Sequence, residues 1–201
     1  MYNKVEFSGF ENVVSILKNI HGGELAIIGS IPSLGKTWLA LEIIKDMVIN
    51  NKISACIFSL EISKEKLLER FSKIDFAMNS NLVEIIDNPT LEIEELKSII
   101  ENKKNESGIK LFFIDYLSLL WNDSKENMEK LIGILKSISV ELDVTIIGLT
   151  MLSREFAGIK PEIKYFNIPK NNVNLIIGLH KEMNSDKNNK TEILILKNDI
   201  K

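Results

Sequence analysis

Cysteine is almost missing from this 201-residue chain: Cys56 stands alone, so no internal disulfide can form and a reducing compartment is the expected setting. Four prolines and ten glycines are too few for a collagen-like or low-complexity segment. No apolar run approaches the roughly 18 residues that span a bilayer, and the opening MYNKVEFSGF lacks the apolar stretch of a secretory leader. The expectation is a cytoplasmic protein with no membrane partner. Neither sign of charge dominates. Lys+Arg 25 against Asp+Glu 28 leaves a net charge of -3, so any nucleic-acid surface has to be local. Arginine is scarcer than any other charged residue, with only Arg70 and Arg154 able to supply a guanidinium fork.

What is present is ordinary for a globular chain: 45% hydrophobic and 26% charged residues. A chain of this size buries about 70% of the surface its unfolded form exposes. One domain over residues 1–201 is therefore expected.

Apolar runs bounded by turn residues alternate with segments of helical period. The runs are 25–29, 54–60, 82–86, 110–115, 144–150, 173–179 and 191–196, and most carry apolar residues at consecutive positions, as strands covered on both faces do. Amphipathic helices are predicted over 36–50, 64–76, 92–104 and 126–142. No helical period separates the last two runs, so a hairpin through the polar stretch 184–190 is expected. Residues 157–170, with Gly158, Pro161 and Pro169, are predicted to be a surface loop. The pattern is an α/β fold with a mostly parallel central sheet, helices on both faces and a C-terminal β-hairpin.

Gly22 to Ile44, GGELAIIGSIPSLGKTWLALEII, runs from a strand through a small-residue loop into a helix. This is the setting of a phosphate-binding loop. Ser30, Pro32, Ser33, Leu34, Gly35, Lys36, Thr37 and Trp38 would then form the nucleotide cradle. Backbone N–H groups of residues 33–37 would hold the β-phosphate, Lys36 would reach the β- and γ-phosphates, and Thr37 would offer its hydroxyl to Mg²⁺. Trp38 is expected to pack first and to stack on a base second. The strict pattern wants glycine where this chain has Ser30, with Gly29 one residue earlier.

LFFIDYL, from Leu111 to Leu117, ends a strand on Asp115, which can hold Mg²⁺ through water. Glu61, in IFSLEIS, stands at the carboxyl end of the strand after the phosphate loop, where open α/β sheets place ligands. A carboxylate there can activate the attacking water, or can be a charge at a helix start capped by Ser63. Both readings stay open on the residues alone.

Taken together, Gly9-Phe10, Gly22 to Leu25, SIPSLGKT from Ser30, FSLEIS from Phe58, EIIDNPTLEIEELKSII and IDYLSLL from Ile114 resemble, in order, the RecA-like motor domain of bacterial DnaB-type replicative helicases. The resemblance runs from about Val5 to Lys197. It implies a RecA-like P-loop NTPase fold, ATP and Mg²⁺ as cofactors, Glu61 and Lys36 as catalytic residues, and Thr37 and Asp115 at the metal. By the same resemblance the partners would be further copies in a hexameric ring and single-stranded DNA.

The departures fall on functional positions. Met151 stands where the family has the glutamine that senses the γ-phosphate, and a thioether donates no hydrogen bond. In the family's finger hairpin Lys197 matches, but Asp199 occupies the arginine position. The family's collar domain and terminal strand have no counterpart here, and the segment after Met78 is shorter. Lys160, Lys164 and Lys170 are the only counterparts of its basic DNA loops, without interleaved aromatics. Three functions are therefore weighed: a reduced DnaB-like ATPase, an accessory or regulatory module that associates with a replication helicase without unwinding DNA, and a full helicase with a different finger.

Overall fold

The structure is a computed structural model that describes residues 5–76, 82–120, 125–182 and 190–200; of Lys125 and Glu126 it describes the backbone only. Among the described residues the strands are β1 (Phe7–Ser8), β2 (Leu25–Ser30), β3 (Ala55–Ser59), β4 (Val83–Ile86), β5 (Leu111–Asp115), β6 (Thr145–Met151), β7 (Leu175–His180) and β8 (Thr191–Asn198). The helices are α1 (Phe10–Leu17), α2 (Lys36–Asn51), α3 (Lys64–Lys73), α4 (Ile93–Ser107) and α5 (Lys125–Glu141). The strands form one sheet in the order β1-β8-β7-β2-β6-β5-β3-β4. Every pair is parallel except β7 with β8.

Alternation along β2 explains the unbroken apolar runs. Ala26 and Ile28 face a layer built from α1, α2 and α3, through residues such as Val13, Leu39, Ile43, Leu67 and Phe71. Leu25 and Ile27 face the opposite layer, built from α4 and α5 through Leu96, Ile100, Leu131 and Leu135. A strand covered on both faces needs an apolar residue at every position. Cys56, on β3, is fully buried, and burial pushes its thiol up to about 12, so it behaves as a small core residue.

The predicted elements are present, with their ends displaced by a few residues. The predicted helix over 64–76 stops at Lys73, where Asp75 takes a left-handed φ of 55°. The hairpin is observed as the antiparallel β7–β8 pair; of its predicted connector, residues 184–189 lie outside the described residues, as does Met78.

The predicted surface loop at 157–170 requires a correction. Its backbone is irregular, with a 3-10 turn at Ile163–Phe166, yet Pro161 and Phe166 are buried. Phe166 lies against Gly29 so closely that a β-carbon there would stand 2.3 Å from the ring, and Pro161 covers Gly178 in the same way at 2.5 Å. The segment closes the sheet at the end of β2 because two strand glycines leave room for it.

Candidate functional site

β2 ends at Ser30, and the chain turns through residues 31–35 before α2 begins at Lys36. The turn is tight because Ser33 and Gly35 both have positive φ, 67° and 96°. Glycine meets this demand at position 35 without steric cost. The N–H of Leu39 donates to the Gly35 carbonyl at 2.8 Å and starts the helix directly behind the loop. Its unpaired first-turn N–H groups and the positive end of its dipole therefore face the loop.

Lys36 folds back over this turn. Its ammonium donates to the Ser30 carbonyl and to the Ser30 hydroxyl, each at 3.2 Å. Ser30 in turn donates to the Ile31 carbonyl at 2.7 Å, so the serine that departs from the glycine pattern is a partner of the lysine. Lys36 is only 9% exposed. Burial lowers its pKa to about 8, against the opposing pull of the Asp115 and Glu61 carboxylates.

Thr37 and Asp115, 78 residues apart in the chain, meet through a 2.8 Å bond from the hydroxyl to Oδ2. Asp115 closes β5, in register with Ser59 on β3. It is 4% exposed, and burial raises its pKa, with the Thr37 bond opposing and Glu61 adding to the rise. The Leu60 N–H donates to the Asp115 carbonyl at 2.8 Å, which ties the end of β3 to the end of β5 and sets Glu61 beside them. Glu61 is exposed and lines the cleft.

That cleft, of about 500 Å³, is lined by Pro32, Ser33, Gly35, Lys36, Thr37, Glu61, Asp115 and Met151, among others. Sequence reasoning marked all eight. Met151 pairs in register with Ser30 at the end of β6, and its 40%-exposed thioether enters the cleft where a donor was wanted. Trp38 borders the cleft but is 5% exposed and belongs to the core, as the packing expectation had it. Leu34 is half-buried and its carbonyl accepts from the Thr191 hydroxyl at 3.3 Å, which holds the loop to β8.

The donor set fits a magnesium nucleotide. A buried ammonium whose described partners are two serine oxygens stands ready for anionic oxygens. A hydroxyl paired with a carboxylate is the hard oxygen set that Mg²⁺ prefers. Thr37 and Asp115 satisfy each other through their mutual bond.

Two residues were missed. Arg70 and Lys66 also line the cleft, from α3. Arg154 instead borders a neighbouring cleft that also holds Glu61. The signal for Arg70 was the helical phase, since Leu67 and Phe71 are buried and turn their preceding neighbours toward the loop.

The hairpin residues lie elsewhere. Lys197 pairs with Ile176 at the start of β7, the end of the sheet opposite the phosphate loop. Its ammonium donates to the carbonyls of Lys170 and Val173 and pairs with Asp199 at 2.7 Å. Of the three lysines matched to basic loops, Lys160 pairs with Glu192 and Lys164 with Glu162, each at 2.9 Å. Tyr165, beside Lys164, is stacked within the chain on Phe156 at 4.0 Å, with the Lys164 ammonium 5.2 Å from the Tyr165 ring.

Comparison with known proteins gives a consistent result. A family model described as the DnaB-like helicase C terminal domain matches residues 7–84 and 72–163. The replicative DNA helicase DnaB of Treponema pallidum (strain Nichols) is 25% identical over 232 residues, covering 97% of this chain and 52% of the relative. The replicative DNA helicase DnaC of Bacillus subtilis (strain 168) is 30% identical over 178 residues, covering 73% and 39%. The chain thus spans about half or less of the length of these curated relatives. Among solved structures, a DnaB-like replicative helicase described with its interactions with primase shares the fold with a TM-score of 0.79 at 23% identity, over 99% of this chain and 60% of that one. Among the described residues no helix is long and apolar enough to cross a membrane.

Proposed function

The chain belongs to the DnaB-like helicase C-terminal domain family, and from that premise we propose that residues 1–201 act as one ATP- and Mg²⁺-binding domain of a replication helicase, with slow ATP hydrolysis. The observation that carries this reading is the joining of Lys36 to Ser30 and of Thr37 to Asp115 at one end of the sheet. In this reading the N–H groups of residues 33–37 bind the β-phosphate and Lys36 exchanges its serine partners for phosphate oxygens. Thr37 and Asp115 would hold the metal, which would supply neutralisation of phosphate charge when bound. Glu61 orients the attacking water and accepts its proton.

A second reading, an accessory or regulatory module that associates with a replication helicase without unwinding DNA, is favoured by the hairpin. Lys197 is engaged by its own chain, and a carboxylate at position 199 repels rather than spreads the charge of phosphoryl transfer. Further copies in a ring and single-stranded DNA remain partners proposed from the family.

Two measurements test these readings. Calorimetric titration with ATP and Mg²⁺ should give saturable binding; none in the parent chain would sink both. Strand displacement on a forked duplex is expected to be absent. Robust unwinding would replace the accessory reading with that of a full helicase, and its loss in Arg154→Ala would make Arg154 the substitute finger.

A further inference from the structure

The phosphate loop is braced from the edge of the sheet. Leu34 sits between two residues of positive φ, Ser33 and Gly35. Among the described residues no backbone N–H reaches the Leu34 carbonyl; the Thr191 hydroxyl donates to it instead, at 3.3 Å. Thr191 is only 2% exposed. A buried hydroxyl left without a partner carries a desolvation cost, so this bond satisfies both of its ends.

Thr191 is itself fixed. It opens β8, its N–H donates to the Glu6 carbonyl at 2.8 Å, and it pairs in register with Phe7 of β1. The chain leading into β1 reaches the loop a second time. Val5 lies on Gly35 so closely that a β-carbon there would stand 3.0 Å from the valine side chain. The β1–β8 edge thus meets the loop at two consecutive residues, at 34 by a hydrogen bond and at 35 by packing.

A trans peptide places its C=O and N–H on opposite sides. Holding the Leu34 carbonyl toward Thr191 therefore turns the Gly35 N–H away from β8, and that N–H is one of those assigned to the β-phosphate. A loop that gathers N–H dipoles beside the positive end of a helix gains little from its shape until an anion fills it. The left-handed φ of Ser33 adds a cost that a non-glycine residue bears only where its surroundings impose it. An outside anchor keeps the loop in that shape, so that binding has less ordering left to do.

We propose that Thr191 is a positioning residue for nucleotide binding: its hydroxyl holds the phosphate loop in its anion-binding shape before a nucleotide arrives. Affinity for any nucleotide with a β-phosphate is thereby coupled to the β1–β8 edge. Thr191 does not line the cleft; it acts through the Leu34–Gly35 peptide, with Val5 as a second brace. The coupling sits at the start of β8, whereas Lys197 and Asp199 lie toward its other end. The inference rests on the nucleotide-binding reading of the cleft.

The experiment compares the parent, T191V, T191S and V5A by titration with ATP and, separately, with ADP, both with Mg²⁺. Hydrogen exchange of residues 31–36 is followed in each, without nucleotide and at saturating ATP. T191V keeps the shape of the side chain and removes the hydroxyl, so it should weaken ATP and ADP alike by about 3- to 10-fold, the usual worth of one neutral hydrogen bond. T191S keeps the hydroxyl and should stay within about twofold of the parent. Without nucleotide, residues 31–36 should exchange several-fold faster in T191V than in the parent; at saturation the two should exchange alike. A residue that only stabilised the fold would not produce that difference. V5A leaves Thr191 intact and should do the same to a smaller degree, which keeps the coupling testable if T191V fails to fold. Unchanged affinity or unchanged exchange in T191V, a loss confined to ATP, equal losses in T191V and T191S, or no effect of V5A where T191V does not fold would each overturn the role of Thr191 while leaving the cleft a nucleotide site. A parent chain that binds neither nucleotide would overturn the nucleotide reading and this inference with it.

Discussion

The two ends of the sheet use polar side chains in opposite ways. Where β2, β3, β5 and β6 finish, the bonds run between distant segments: Thr37 to Asp115, the Leu60 N–H to the Asp115 carbonyl, Glu61 beside both. At the other end, Lys197 is satisfied by carbonyls at 170 and 173 and by Asp199 two residues away. The first end leaves Glu61 open and Lys36 with serine oxygens that phosphate can replace. The second leaves its cation occupied within the chain. In the proposed reading the difference separates holding a nucleotide, for which the first end has a suitable donor set, from acting on a neighbour, for which the hairpin offers an engaged lysine and a carboxylate.

Turnover is where the difference should be largest. Glu61→Gln keeps the shape of the side chain but removes the base, so it should cut ATP hydrolysis by about 10²- to 10⁴-fold while ATP binding stays near the parent value. A phosphate-release assay paired with calorimetry measures both quantities. Hydrolysis at the parent rate would reduce Glu61 to a charge at the start of α3.

Lys36→Ala comes next. Removing the buried ammonium should weaken ATP about 10- to 100-fold, with little change in melting temperature because its described partners are Ser30 oxygens. The parent's affinity should also depend on pH. Burial lowers the Lys36 pKa to about 8, and phosphate binds its charged form, so affinity should fall as pH rises above about 8, by up to about tenfold per unit. The stability effect has the opposite sign. A lysine whose folded pKa lies below its unfolded value binds fewer protons when folded, so this group favours folding more as pH rises from about 8 toward 10.5. In Lys36→Ala both dependences should vanish; an unchanged pH profile would mean that another group governs phosphate binding.

How much of this was legible in the sequence depended on whether the signal was local. The phosphate loop is one continuous stretch whose small residues, lysine and helix period are read together. Asp115 and Glu61 were legible because each ends an apolar run, and the ends of parallel strands converge. Arg70 was missed because its place depends on how α3 packs, although buried Leu67 and Phe71 fix that phase. Phe166 and Pro161 were missed because their segment has no period; the one hint was glycine inside two strands, at 29 and 178.

Gly29 gives a direct test of that close packing. Gly29→Ala would put a methyl group 2.3 Å from the Phe166 ring, and relieving the overlap should cost about 1–3 kcal/mol. For a chain of this length that lowers the melting temperature by about 2–4 °C per kcal/mol. Calorimetric scanning measures it, and an unchanged midpoint would show that 157–170 is the surface loop its sequence suggested.

The smallest effect belongs to the far end. Asp199 is 59% exposed in its pair with Lys197, and exposed ion pairs contribute about 0–1 kcal/mol because water and salt screen them. Asp199→Ala should therefore shift stability by no more than about 1 kcal/mol. Lys197 keeps its two carbonyl partners after the substitution, so the start of β7 stays anchored. The nucleotide cleft lies at the opposite end of the sheet, so the affinity for ATP should be that of the parent. Titration at low and at high salt checks this, because a long-range field from Asp199 would be visible only at low ionic strength. A change in ATP affinity at both salt concentrations would mean that the hairpin communicates with the cleft through the sheet, and the separation of binding from action on a neighbour would no longer hold.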